Sequence, residues 1–130
     1  MNGLAFAFSF LQARDLYTGS LFVACRRYAE ESGKDWGILS AEGGLIMPHW
    51  MTFPYDARLK LRGSELENWA MNAAKKTRLL FSPTEVVCLA GVDYAAPFAA
   101  ALETLHIPCT QPLAGLGMGH RLQWLKQRRA

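Results

Sequence analysis

The chain has 130 residues, of which 51% are hydrophobic and 19% charged, the size and make-up of one domain around one core and not of a disordered segment. Its formal net charge of +3 and pI of about 8.9 are mildly basic and fall short of the footprint of an obligate nucleic-acid binder. Three widely spaced cysteines, Cys25, Cys88 and Cys109, make no CxxC pair, which removes zinc-ribbon and thioredoxin-like classes and fits reduced, packed thiols in a cytosolic protein.

The first run, Leu4–Leu11, is apolar but only about eight residues long and follows no basic segment, so it reads poorly as a signal peptide. No stretch approaches the roughly 20 apolar residues of a membrane helix. The expectation is a soluble, cytoplasmic protein with no membrane partner. Phe6, Phe8 and Phe10 alternate with Ala5, Ala7 and Ser9. That period predicts a strand with one buried face, set at a sheet edge or against a partner, including a second copy in a homodimer. Arg14–Gly19 reads as a loop. Leu21, Cys25, Tyr28 and Ala29 then recur at helical spacing, with Arg26, Arg27, Glu30 and Glu31 outward. Ser20 as N-cap and Gly33 as C-cap bound a helix over 20–32.

Trp36–Ser40 predicts a second strand that feeds Ser40-Ala41-Glu42-Gly43-Gly44. A long segment to Asp56 follows. Leu45, Ile46, Met47, Trp50, Met51 and Phe53 make it too apolar for disorder, so it is expected to pack down around a short strand. Ser64 and Glu67 have capping-box spacing. They start a helix with an apolar stripe of Leu66, Trp69, Ala70, Ala73 and Leu80, basic residues Lys75, Lys76 and Arg78 near its end, and a stop at Ser82-Pro83. Glu85–Ala90 predicts a central strand buried on both faces. Asp93 is placed as the cap of a helix reaching Leu105, with Phe98, Ala101, Leu102 and Leu105 inward and Pro97 in its first turn. Ile107–Leu113 predicts an edge strand limited by Pro108 and Pro112. Gly115-Leu116-Gly117-Met118-Gly119 opens a last, basic helix carrying Leu122, Trp124 and Leu125. This alternation predicts a single-domain α/β fold, a three-layer sandwich with a mainly parallel sheet and helices on both faces.

Ligands in such sheets bind beyond the carboxyl ends of the strands. The expected walls are Ser40–Gly44, Gly91–Tyr94 and Ala114–Gly119. Ser40 is a candidate nucleophile without a G-x-S-x-G elbow, and a strand-end hydrogen bond explains it as well. Asp56 is the candidate general base or orienting carboxylate and Tyr55 its neighbouring hydroxyl, against an Asx-type turn after Pro54. Tyr17, Glu42 and Tyr94 are candidate ligand contacts. Gly115 and Gly117 could expose amides to a phosphate, with Arg121 adding a charge, although the spacing is not the dinucleotide fingerprint and a tight turn with close helix packing explains it equally. His49, His106 and His120 lack metal-ligand spacing, and His106 falls at a helix end, where it suits the dipole. No metal or other cofactor is expected. Trp50 suits stacking on a base or packing on the core. The basic last helix suits an acidic partner or a solvated surface.

Five ordered motifs, Ala13–Phe22, Ile38–Ile46, Pro54–Leu59, Leu89–Phe98 and Pro112–Leu125, together resemble a family of uncharacterised bacterial and phage α/β domains, a domain of unknown function. Members look remotely similar to YaaA-type stress proteins and to nucleobase-modifying or glycosidic-bond enzymes. The chain departs from that pattern twice. It has no Cys-Gly-Lys type loop after its first strand, and it has Glu42 and Gly43 where members tend to show a Lys and an aromatic residue. The resemblance implies a nucleotide- or nucleobase-directed protein, an enzyme acting on a base or an N-glycosidic bond. The alternative is a non-enzymatic binding protein, such as a phage or mobile-element inhibitor of a host defence complex, in the manner of an anti-CRISPR protein.

Overall fold

The computed structural model of the chain describes residues 4–9, 20–40, 44–46, 61–90 and 92–127. They form β1 (Leu4–Ser9), α1 (Ser20–Ser32), β2 (Asp35–Ser40), β3 (Gly44–Ile46), α2 (Gly63–Phe81), β4 (Glu85–Cys88), α3 (Val92–Thr104), β5 (Cys109–Thr110) and α4 (Met118–Gln127). The five strands make one mixed sheet in the order β3-β2-β1-β4-β5. β1 pairs in parallel with β2 and β4, and β4 with β5. β3 runs antiparallel to β2. The fold is α/β.

β1 is therefore central, not an edge. Both its ladders are taken within the chain, by β2 and β4. The alternation shows why. Ala5 and Ala7 face a cluster built with Trp69, Ala70, Ala73 and Ala74 of α2 and Phe98 and Leu102 of α3. Phe6 faces a second cluster with Cys25 and Ala29 of α1 and Leu125 of α4. Alanine on one face lets helices approach closely, while Phe6 fills the other and meets Tyr28 edge-on at 5.4 Å between ring centres. A phenylalanine ridge at an edge and one on a central strand share the same period, so the sequence could not separate them. The side chain of Phe8, and Phe10 altogether, lie outside the described residues.

Five other expectations change in detail. α2 begins at Gly63, after an extended Arg62 with no side-chain cap bond. Gly63, at φ +59, turns the chain one residue before Ser64, so the Ser64–Glu67 box does not start the helix. The buried stripe of α2 runs through Thr77 and Phe81, four and eight residues after Ala73, whereas Leu80 is 40% exposed, rotated about 100° from Phe81. Pro97 lies inside α3, one turn later than expected, where it has no N–H to give the carbonyl of the exposed Asp93. Asp93 itself sits in the first turn of α3 and not at its cap. β5 shrinks to two residues at the sheet edge, since Pro108 and Pro112 donate nothing, although the Pro108 carbonyl still accepts from Val86 N–H at 2.9 Å.

α1 and its ends match the expected 20–32 span, with Gly33 at φ +71 and its N–H bonded to the Glu30 carbonyl at 3.2 Å. The end of α3 is more informative. His106 has φ +63. Its N–H bonds the Glu103 carbonyl at 2.9 Å and the Ile107 N–H bonds the Leu102 carbonyl at 2.9 Å. These two bonds are a Schellman closure, and Ile107 and Leu102 are both buried in one cluster beneath it. A left-handed residue with a Cβ costs about 1–2 kcal/mol, part of which glycine would return as unfolded-chain entropy. His106→Gly is expected to raise stability by about 0.5–1 kcal/mol in urea titration. A loss would mean that the imidazole contributes more than its backbone costs.

Candidate functional site

The parallel strands β1 and β2 step one way across the sheet and β4 and β5 the other, so the strand order reverses between β1 and β4. At such a switch point the connections leave on opposite sides and open a crevice beyond the carboxyl ends. The segment joining β1 to α1 lies outside the described residues. Tyr17 lies outside the described residues, as do Glu42, Tyr55 and Asp56.

Ser40 and Tyr94 are brought together by a residue the sequence assigned only to a core stripe. Trp69 of α2 is 7% exposed and donates its indole N–H to the Ser40 carbonyl at 2.9 Å. The same ring meets Tyr94 of α3 with centres 5.9 Å apart and planes at 68°. A buried indole needs an acceptor for its one polar atom, and that rule, applied to Trp69, was the signal available in the sequence. Ser40 stands opposite Gly44 at the end of the β2–β3 ladder. The expected short strand after Ser40 is β3, antiparallel to β2 at the sheet edge, and residues 41–43 between them lie outside the described residues. Gly44 has φ +66, and an added Cβ would lie 3.7 Å from the Ala73 Cβ, so small residues on both sides let α2 lie directly on the hairpin.

The glycine turn is a second locus. Ala114 N–H bonds the Gln111 carbonyl at 3.1 Å and Leu116 N–H the Leu113 carbonyl at 3.2 Å, two successive turns after β5. Gly115 needs its glycine, with φ +80. Gly117 accepts the first helical bond from Arg121 N–H at 2.9 Å, which leaves the amides of 118–120 without helical acceptors at the mouth of α4. An added Cβ on Gly117 or Gly119 would meet nothing within 4 Å, so close helix packing does not explain either glycine. Arg121 has a defined structural task, since its Nε donates to the Leu116 carbonyl at 2.8 Å and braces the turn. Leu116 packs with the α1–α4 cluster, whereas Tyr94 packs with the α2–α3 cluster. The structure therefore divides the described candidates into two groups on opposite faces of the sheet, Ser40 with Tyr94 and the Gly115–Gly117 turn with Arg121.

Glycine inside a helix costs up to about 1 kcal/mol relative to alanine, and Gly119 has neither a positive φ nor a neighbour to justify it. Gly119→Ala is expected to raise the melting temperature, by the equivalent of about 0.5 kcal/mol so near the helix end. A decrease would show that the residue is needed for folding and not for access.

Among the described residues, no group of three or more His, Cys, Asp and Glu stands together as a metal site, and no helix is long and apolar enough to cross a membrane.

A family model described as a family of unknown function, DUF6884, matches residues 9–127. No curated protein and no solved structure matches the chain. The chain belongs to that family of unknown function.

Proposed function

We propose that this member of a family of unknown function is a nucleotide- or nucleobase-directed protein of bacterial or phage origin, an enzyme acting on a base or an N-glycosidic bond. Its fold would be a three-layer, mainly parallel α/β sandwich with the ligand in the crevice between β1 and β4. The observation that carries the reading is the pair of loci at the carboxyl edge. One side offers the half-buried Tyr94, set against the buried Trp69 next to the end of β2, chemistry suited to a planar base. The other offers a helix mouth with two glycines that have open space around them, chemistry suited to a phosphate. In this reading Tyr94 and Tyr17 position the base, Asp56 with Tyr55 supplies the general base, and Ser40 and Glu42 line the rim. Gly115 and Gly117 shape the anion seat. Since Arg121 Nε holds the turn, any phosphate contact of its own comes from the guanidinium Nη groups.

Calorimetry with a panel of nucleobases, nucleosides and nucleoside monophosphates tests this. Binding of at least one member is expected, weakened about tenfold or more, that is by about 1.4 kcal/mol, in Asp56→Asn and in Tyr94→Leu. No heat from any member of the panel would sink the reading.

A second reading, a non-enzymatic binding protein such as an inhibitor of a host defence complex, has one observation in its favour. Leu79 is 81% and Leu80 40% exposed at the end of α2, beside the exposed Lys75 and Arg78. An apolar pair with a basic rim suits an acidic protein surface.

A further inference from the structure

The three cysteines are all free thiols, and two of them are neighbours. β4 and β5 pair in parallel with Val86 opposite Cys109, which puts Cys88 two residues further along on the same face. Both belong to the α2–α3 side, Cys88 inside that cluster and Cys109 packed against it. Cys88 is 1% exposed, whereas Cys109 is only half-buried. Each thiol acts on the protonation of the other more than any other group does, and the Cys109 thiol donates to the Thr110 carbonyl at 3.9 Å. Cys25 differs on each count, since it faces the opposite cluster with α1 and α4.

We propose that Cys109 and Cys88 form a hydroperoxide-reactive dithiol, Cys109 attacking and Cys88 resolving. The asymmetry supports these roles. Register places the two sulfurs on one face, and only Cys109 is open to solvent in part, Cys88 being fully buried. The neighbouring Cys88 thiol holds Cys109 below its usual range, against burial and the nearby Glu85 and Glu103, while Cys109, then burial, holds Cys88 well above its own. The thiolate is the reactive form, so the half-buried, acidified sulfur, and not the fully buried one, is the one that meets peroxide first. Its lone pair attacks one peroxide oxygen, the O–O bond breaks, and the departing oxygen leaves as water or an alcohol after taking a proton. Cys109 is then a sulfenic acid. The Cys88 sulfur attacks the Cys109 sulfur, the S–O bond breaks, and hydroxide leaves as water with the Cys88 proton. Two thiols are oxidised to one disulfide and one peroxide is reduced. Diagonal neighbours on adjacent strands lie roughly 7–8 Å apart at their Cα atoms, just beyond the approximately 7 Å limit for a bridge. Closure therefore needs a small shift, and β5, two residues at the sheet edge, is the strand able to make it.

The test is treatment of the native full chain with hydrogen peroxide, alkylation of remaining thiols after denaturation, and peptide mass spectrometry. The expected product is a Cys88–Cys109 cross-linked peptide. Cys25, buried and pushed up to about 12, should stay alkylatable, with Cys109 lost at least about tenfold faster. Cys88→Ser should stop at a Cys109 sulfenic acid trapped by dimedone, and Cys88→Ala replaces it if the serine variant does not fold. Absence of the cross-linked peptide from the wild-type chain, or equal oxidation of Cys25 and Cys109, overturns the proposal.

Discussion

Trp69→Ala is expected to lower unfolding stability by about 3–5 kcal/mol, the usual cost of deleting a large buried aromatic. A domain of this kind has about 5–15 kcal/mol in all. Trp69 is 7% exposed and has two separable tasks. Its ring belongs to the core cluster that also holds Ala5, Ala7, Leu45 and Phe98 and meets Tyr94 edge-on. Its N–H satisfies the Ser40 carbonyl at 2.9 Å, where the β2–β3 ladder ends. Trp69→Phe keeps most of the ring and deletes only the donor to the Ser40 carbonyl. That should cost about 0.5–1.5 kcal/mol, the net worth of one hydrogen bond. Urea unfolding followed by circular dichroism separates the two. If the phenylalanine variant matches wild type, the hydrogen bond does not hold the hairpin, and Trp69 does not tie Ser40 to Tyr94. If both variants lose equally, the bond and not the ring is the main contribution.

Phe98→Ala is expected to cost a similar 3–5 kcal/mol for a purely apolar reason. Phe98 is 0% exposed and sits one residue after Pro97, where α3 lacks a backbone bond. Packing therefore supplements a helix ladder that is one bond short at this part of α3. The cavity would open between α3 and the sheet under Val86 and Cys88. Phe98→Leu keeps most of the volume and should cost less than about 1.5 kcal/mol. Thermal and urea unfolding give the ranking. An alanine variant within about 1 kcal/mol of wild type would mean that the site collapses around the loss, as a loosely packed α3 would allow.

Much of the local structure was legible because it depends on neighbours in the chain. The spacing of Cys25, Tyr28 and Ala29 with Gly33 behind them gave α1 and its end. The β-branched run of Val86 and Val87 gave β4 as an interior strand, and Pro108 and Pro112 gave β5 its edge position. The short strand inside the segment after Ser40 also formed, as β3. The candidate site was legible only as a set of residue types in loops. Ser40 and Tyr94 are 54 positions apart in the chain, and nothing local connects them. The connection is the Trp69 side chain, which helical periodicity could mark as buried but could not aim.

By itself the sequence determined the alternation of strands and helices, the boundaries of α1 and α2 to within a residue or so, and which faces are apolar. It did so because propensity, capping and periodicity act over one or two turns. Only the tertiary structure decided that β1 is central, that β3 runs antiparallel to β2, and that Gly115–Gly117 with Arg121 stand on the opposite face from Tyr94. Those outcomes depend on which strands pair and on which side each crossover passes. A period-two pattern is the same at an edge and at the centre of a sheet, and a glycine-rich stretch is the same in a hairpin and at a helix mouth, so pairing between distant segments had to choose.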